Sequence, residues 1–452
     1  MELLKASGGL TRADAKTFRH HPFRVPDGVE AMRVSFAYDR GGDFPHSLVT
    51  LQLFDANGFR GAAHRFSPEQ TIEIDAARAT PGFLRGPIGP GEWVAELDVH
   101  SLIPRPDGKP NAYSIVVAAV APKGSGAQAP ESLAAGPVTA APRHWLRGEL
   151  HLHSEHSDGR WTTGEMAERA KARNLDFLFL TDHNTTSGVD PLRSQLEGAL
   201  SVLPGIELTT YRGHALALGA AHWIDWRTGH AGRTANQMAA SVRETGALFV
   251  VAHPDAPPDD VCTGCRWTYD DFDPALAHAV EVWGGLWDGP EERNQGCLDL
   301  WRDWLNRGLR LTATGATDAH RPEDWEGAVP LTYVEATDAS LTSVLDALHA
   351  GRTYVSSGPA LEIQAVGYDG PLARLGESVP KSAARAIEAA CAQAPVGELR
   401  LVANGEILAK RRIDGEGYLA SAPRASDRWC CAELWSEKGD VLLAVTSPIY
   451  LT

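Results

Sequence analysis

The stretch His151-Leu152-His153-Ser154-Glu155-His156-Ser157-Asp158-Gly159 follows a short apolar run and sets two histidines one residue apart. Strand side chains alternate, so both imidazoles fall on one side. Asp158, on a Ser-Asp-Gly turn, is close enough to fold back toward the same point. Neutral imidazole with carboxylate is a ligand set for a divalent metal. That reading needs further ligands at strand ends downstream.

From Trp145 onward, strand-like and helix-like segments alternate. Thr162-x-x-Glu165 has capping-box spacing ahead of a helical run at 166–173. A buried strand at 176–181 ends in Asp182-His183-Asn184, and 200–203 leads to Gly205-Ile206-Glu207. A strand at 214–218 begins with His214, a helix follows at 235–244, and 248–252 runs into His253-Pro254. After a strand at 280–283 and a Trp-rich helix at 297–306, the strand at 309–314 leads into Thr317-Asp318-Ala319-His320. Repeating β-α units imply a parallel sheet, and this many favour a closed or distorted barrel. The C-terminal strand ends of such a barrel form its active face. His151, His153, Asp158, His183, Glu207, His214, His253, Asp318 and His320 would converge there.

The flanks read differently. Residues 1–144 carry short strands at 32–38, 47–54, 71–74, 93–97 and 113–120 between Gly, Pro, Asp and Asn clusters, which suggests a β-sandwich. Its histidines (His20, His21, His46, His64, His100) share no ligand spacing, so surface or packing roles are expected. A Gly/Ala/Pro-rich linker spans 122–142. Beyond 358, strands at 399–403, 407–413, 432–435 and 441–445, with an Asn404-Gly405 turn, suggest a second small β module at 359–452.

At 452 residues and 43% hydrophobic content, two or three domains with ample cores fit. A net charge of −16 argues against a nucleic-acid polymer as partner, while a locally positive metal centre leaves small anionic substrates open. Cys262-x-x-Cys265 lacks a second ligand pair for a zinc ribbon, so the 6 cysteines are expected to be reduced. The N-terminus has no signal-peptide pattern and no apolar run approaches ~20 residues. A soluble cytoplasmic protein with no membrane partner is expected.

The residues His151-x-His153, Ser157-Asp158-Gly159, Thr181-Asp182-His183, Gly205-Ile206-Glu207, Ala252-His253-Pro254 and Thr317-Asp318-Ala319-His320 resemble the motif series of the PHP (polymerase and histidinol phosphatase) metallohydrolases. The spacing of Glu207 to Gly213-His214, and the Gly351-Arg352-x-Tyr354…Ser357-Gly358-Pro359 run, resemble the branch that includes carbaryl hydrolase, over residues 145–452. The resemblance implies a distorted (β/α)7 TIM-like barrel at 145–358, so the expected fold class is α/β, with the two β-sandwich-like modules read from the strand pattern on either side. It further implies two or three divalent ions (Zn, Mn or Fe). His151, His153, Glu207 and Asp318 would hold the first. Glu207 would bridge to a second, completed by His214 and His253, and Asp158, His183 and His320 would hold a third. Glu207, Asp318 and His320 would be the catalytic members. Many relatives have histidine where this chain has Asp158; the change keeps a ligand.

A hydroxide bridging two ions ~3.5–4 Å apart is nucleophilic at neutral pH, since metal binding lowers the pKa of water toward ~7. Three divalent ions outweigh Asp158, Glu207 and Asp318, and a positive pocket suits phosphate. The expected function is a metal-dependent phosphoesterase acting on a small phosphorylated metabolite or nucleotide. The alternative is a carbamate, ester or amide hydrolase, and a third class is a non-catalytic binding protein, which the full ligand set opposes. Around the ligands, His156, Arg212 and Arg321 could touch substrate or sit in solvated loops and surface salt bridges, and Asn184 shares that ambiguity. Asp182 could orient a histidine or cap a loop. Trp283, Trp287, Trp301 and Trp304 are expected to pack, with Trp287 the best exception.

Overall fold

A computed structural model of the chain describes residues 1–42, 46–123, 142–257, 264–287 and 293–452. Two four-stranded sheets make the N-terminal module. One joins Glu2–Leu10, Asn111–Val120, Ala31–Tyr38 and Glu69–Asp75; the other joins Thr17–Val25, Gly91–Ser101, Leu48–Asp55 and Gly58–Ala63. Alternation along each strand sends Met32, Val34 and Phe36 from the first sheet, and Val49, Leu51, Leu53, Leu97 and Val99 from the second, into one shared core. Glu2–Leu10, Thr17–Val25 and Gly58–Ala63 add to the strands expected from sequence. The expected linker lies, over residues 124–141, outside the described residues.

In the central region, His144–Glu149, Phe177–Leu180 and Ser201–Thr209 pair in parallel. His214–Leu218 turns back antiparallel on Ser201–Thr209 and pairs antiparallel with Leu248–Val251. Parallel pairing resumes through Ala279–Gly284 to Thr312–Ala316. Helices Thr163–Ala172, Val189–Leu196, Ala235–Glu244 and Asn294–Asn306 pack along the sheet. Thr162 Oγ1 accepts the Glu165 N–H at 3.2 Å and the Glu165 carboxylate accepts the Thr162 N–H at 2.8 Å, so the expected capping box forms.

The arrangement departs from a regular (β/α)7 barrel in two places. Residues 210–213 are too few for a crossover, which takes about a dozen residues, so the chain must reverse as a hairpin. The curled sheet also does not close by a strand ladder: Thr332 Oγ1 instead bonds Gly315 N and O at 2.9 and 2.7 Å. Leu331–Ala336, which carries Thr332, lies antiparallel to His144–Glu149. The result is a mixed α/β sheet with β-rich flanks.

Thr353–Ser356 pairs with Leu442–Thr446, so the sheet continues past residue 358 without a break into the C-terminal module. There Ala386–Ala403 and Glu406–Ser421 form a long hairpin whose turn residues, Asn404 and Gly405, take φ of 53° and 87°. Cys297, Cys391, Cys430 and Cys431 are buried free thiols. Cys265 is disulfide-bonded, which corrects the expectation of reduced cysteines throughout; Cys262 lies outside the described residues. Among the described residues no helix is long and apolar enough to cross a membrane.

Candidate metal centre

The expected ligands come from consecutive strands and meet at one end of the curled sheet. His151 and His153 follow His144–Glu149, with Leu152 between them bridging to Ala319. His183 follows Phe177–Leu180 and bridges to Glu207, which lies within Ser201–Thr209. His253 follows Leu248–Val251, and Asp318 and His320 follow Thr312–Ala316. His214 opens its strand instead of closing one. Because that strand runs antiparallel, its first residue lies opposite Thr209, at the same mouth as the others' ends.

All nine fall into three overlapping groups whose atoms could share an ion: His151, His153, Glu207 and Asp318; Glu207, His214 and His253; and His153, Asp158, His183 and His320. His151 Nε2 lies 3.3 Å from both Glu207 Oε2 and Asp318 Oδ1, and His153 Nε2 lies 3.2 and 3.1 Å from the same pair. Glu207 Oε1 faces His214 Nδ1 and His253 Nε2, each at 3.0 Å. Asp158 Oδ1 lies 3.3 Å from His183 Nε2 and from His320 Nε2.

The donor set fits a metal. His151 Nε2, both nitrogens of His153, Asp158 Oδ1 and Glu207 Oε2 are buried without a hydrogen-bond partner among the described residues. Tetrahedral ligands at ~2.1 Å from one ion stand about 3.4 Å apart, close to the separations here. His153 joins two groups, which the sequence reading had confined to one.

Residues behind the ligands fix their orientation. Glu281, inside Ala279–Gly284, places Oε1 3.2 Å from His151 Nδ1 and accepts the His253 N–H on Oε2 at 2.9 Å. The Nδ1–H is thereby engaged and Nε2 is left to face Glu207 and Asp318. His320 donates from Nδ1 to the Asp318 carbonyl at 2.9 Å, which turns its Nε2 to Asp158. Glu149 Oε1 accepts the N–H groups of Leu150, His151 and Thr317 at 3.0 to 3.2 Å and ties two ligand loops together. Among the described residues Asp182 makes no hydrogen bond to a histidine. It accepts Ser154 N–H and Ser157 O–H, both at 2.7 Å, and Ser154 O–H at 2.8 Å, which shapes the loop carrying Asp158. His253 and Asp318 hold φ of 27° and 54°, a left-handed backbone costing about 1–3 kcal/mol each that surrounding bonds must sustain.

Electrostatics agree with the geometry. Burial would raise the Glu207 carboxyl, but His183, His151 and His214 hold it well below the usual range. Burial is likewise overridden at Asp158 by His183 and His320, and at Asp318 by His151. His151 is shifted the other way, since Asp318, Glu207 and Glu281 outweigh its burial.

The substrate candidates fare unevenly. Arg212 is exposed, donates to the Thr268 carbonyl at 2.5 Å and lies over the Tyr269 ring, a packing role. Arg321 is exposed and ion-paired with Asp324 at 2.9 Å, three residues along, where its side chain is held at the surface. His156 is buried, not solvated: its Nδ1 lies 2.8 Å from Ser187 Oγ and accepts the Gly82 N–H of the N-terminal module at 3.3 Å. Asn184 Oδ1 accepts the Thr209 N–H, and the four tryptophans pack in the core.

Sequence reasoning missed Arg293, whose Nη1 lies 3.4 Å from Asp318 Oδ2. It also missed His64, whose ring is 4.5 Å from that of His183. The packing role expected for His64 therefore places it at the centre itself.

Comparison with known proteins gives these matches. The PHP domain model matches residues 149–262. A 3',5'-nucleoside bisphosphate phosphatase of Chromobacterium violaceum is 34% identical over 111 residues, 22% of this chain and 39% of that protein. The 5'-3' exoribonuclease Rnm of Escherichia coli is 35% identical over 65 residues, 14% of this chain and 22% of that protein. This chain thus spans 22% and 39% of the length of these two relatives. A solved two-domain structure from Bacteroides vulgatus, containing a predicted PHP-like metal-dependent phosphoesterase, aligns over 72% of this chain and 100% of its own, at 19% identity and a TM-score of 0.40.

Proposed function

We propose, from the premise that residues 149–262 are a PHP domain, that this protein is a metal-dependent phosphoesterase acting on a small phosphorylated metabolite or nucleotide. The observation that carries the reading is Glu207. One of its oxygens faces His214 and His253 while the other faces His151 and His153, with His183 beside the latter, the disposition of a carboxylate shared between ions. His151, His153, Glu207 and Asp318 would hold one, Glu207, His214 and His253 a second, and Asp158, His183 and His320 a third. The mixed imidazole and carboxylate set admits Zn, Mn or Fe. Bound ions would acidify a water for attack and polarise the phosphoryl oxygens.

The protein's own groups do the rest. Glu281 and Glu149 hold the ligands in register, and Arg293 presents a guanidinium beside Asp318 suited to a phosphoryl oxygen. Small substrates are favoured over RNA because the chain carries a net charge of −16. The carbamate alternative rests on the carbaryl-hydrolase resemblance alone, and the curated relatives named above are a phosphatase and a nuclease.

The 452-residue chain loaded in turn with Zn, Mn or Fe should hydrolyse an aryl phosphate and a nucleoside bisphosphate faster than a short RNA, and leave an aryl carbamate intact. Turnover of the carbamate alone would overturn the phosphoesterase reading, and preference for the RNA would overturn the small-substrate one.

A further inference from the structure

The second sheet of the N-terminal module turns its apolar face to its own core, and its other face packs on the mouth of the central sheet. That second face carries Thr50, Gln52, His64, Asp98 and His100, none more than 5% exposed. Register explains the grouping: Gln52 lies opposite Ala62 and Glu96, and Thr50 lies opposite Asp98. A sheet face buried between modules is ordinarily apolar, because polar groups lose water there.

This polar face meets the metal centre. The His64 ring stands 4.5 Å from His183 and 4.7 Å from His100. Its Nδ1 lies 3.3 Å from Thr50 Oγ1. Neither amide atom of Gln52, nor His100 Nδ1, has a hydrogen-bond partner among the described residues. Buried groups in that state are rare in folded proteins and call for a ligand or an ordered water. Of the nearby cations, Arg227 pairs with Glu96 and Asp225, and Arg65 donates to the Pro81 carbonyl. Glu96 and Asp98 stand in the same sheet. The wall therefore offers uncharged donors and acceptors, whereas on the opposite side Arg293 pairs with Asp318.

We infer that the N-terminal module forms the specificity wall of the site, where His64, Gln52 and His100 receive the uncharged, hydroxyl-bearing alcohol portion of a phosphomonoester. The inference rests on the phosphoesterase reading and adds the substrate class: a sugar-like or nucleoside-like monophosphate, with a second phosphate on the alcohol disfavoured because Arg227, the cation bonded into this face, is already paired with Glu96 and Asp225.

The test uses the metal-loaded full chain and its His64→Leu and Gln52→Leu variants, each checked for metal content. kcat/KM is measured on ribose 5-phosphate and on p-nitrophenyl phosphate, whose aryl group makes no comparable hydrogen bonds. The expected result is a fall of about ten-fold in the ratio of the two values, carried mainly by KM for ribose 5-phosphate, with metal content retained. Two variants are used so that one that misfolds leaves the other to decide. A ratio within two-fold of wild type in a folded, metal-loaded variant would overturn the wall while leaving the phosphoesterase reading standing, as would a wild-type preference for fructose 1,6-bisphosphate over ribose 5-phosphate. Wild-type protein inert toward every phosphoester would remove both.

Discussion

Glu281→Gln tests whether the residues behind the ligands set metal affinity. Glu281 is 1% exposed and meets His151 Nδ1 at 3.2 Å and the His253 N–H at 2.9 Å. Glutamine has nearly the same shape, and its carbonyl oxygen can keep the His253 N–H. Its NH2 group then faces His151 Nδ1, so a donor meets the nitrogen whose own proton had been engaged. The imidazole is no longer held with its Nε2 lone pair toward Glu207 and Asp318.

One charge-assisted hydrogen bond is lost, worth about 1.5–3 kcal/mol, or roughly 10- to 150-fold in affinity. That range agrees with the ~10–100-fold typical of a carboxylate behind a ligating histidine. Competition with a chelator, titrating Zn²⁺ into metal-free protein, measures it directly, and turnover should recover in part at saturating metal. Affinity within two-fold of wild type, with the fold intact, would mean that Glu281 merely fills a polar space and that the geometry at His151 is set elsewhere.

Glu207→Gln should abolish turnover, because one oxygen of this carboxylate faces His214 and His253 while the other faces His151, His153 and His183; near-normal activity with metal retained would sink the shared-carboxylate assignment. Asp158→Ala should remove about one equivalent of metal and leave the rest, which elemental analysis would show, since Asp158 faces His183 and His320 and belongs to one of the three groups. Burial, reinforced by Glu96, raises the Asp98 carboxyl from 3.8 to about 8. The folded chain therefore holds a proton there that the unfolded chain releases, and the stability this provides is complete below the unfolded value and lost as pH rises toward 8. The melting temperature of Asp98→Asn relative to wild type should accordingly climb between about pH 5 and pH 8, and a difference that stays flat would show that Asp98 is already ionised.

The ligands were legible in the sequence because most stand beside a strand end, where a local motif such as Thr317-Asp318-Ala319-His320 carries both the strand and its chemistry. Glu281 was not read, although a lone acid inside Ala279–Gly284 was its signal: a carboxylate in an apolar buried strand needs a partner. His64 and His100 became neighbours through the register of three strands, which neither residue's local sequence encodes. Thr17–Val25 went unread because Arg19, His20, His21, Pro22 and Arg24 break up its apolar pattern. The reversal at 210–213 was available from loop length alone, since four residues cannot carry a crossover. His156 looked solvated because its partner, Gly82, lies in a different module.

The ladder from Tyr354 to Thr446 bears on how such a chain can change over evolutionary time. A cut after residue 358 falls in a plausible place by composition, yet it would leave Thr353–Ser356 with a bare hydrogen-bonding edge in the wall that also supports Ala313 through Thr353 Oγ1. The last segment is thus not a cassette to be swapped between genes. Recombination that replaced it would have to bring along the strand it zips to, and through that strand the floor beneath the metal ligands.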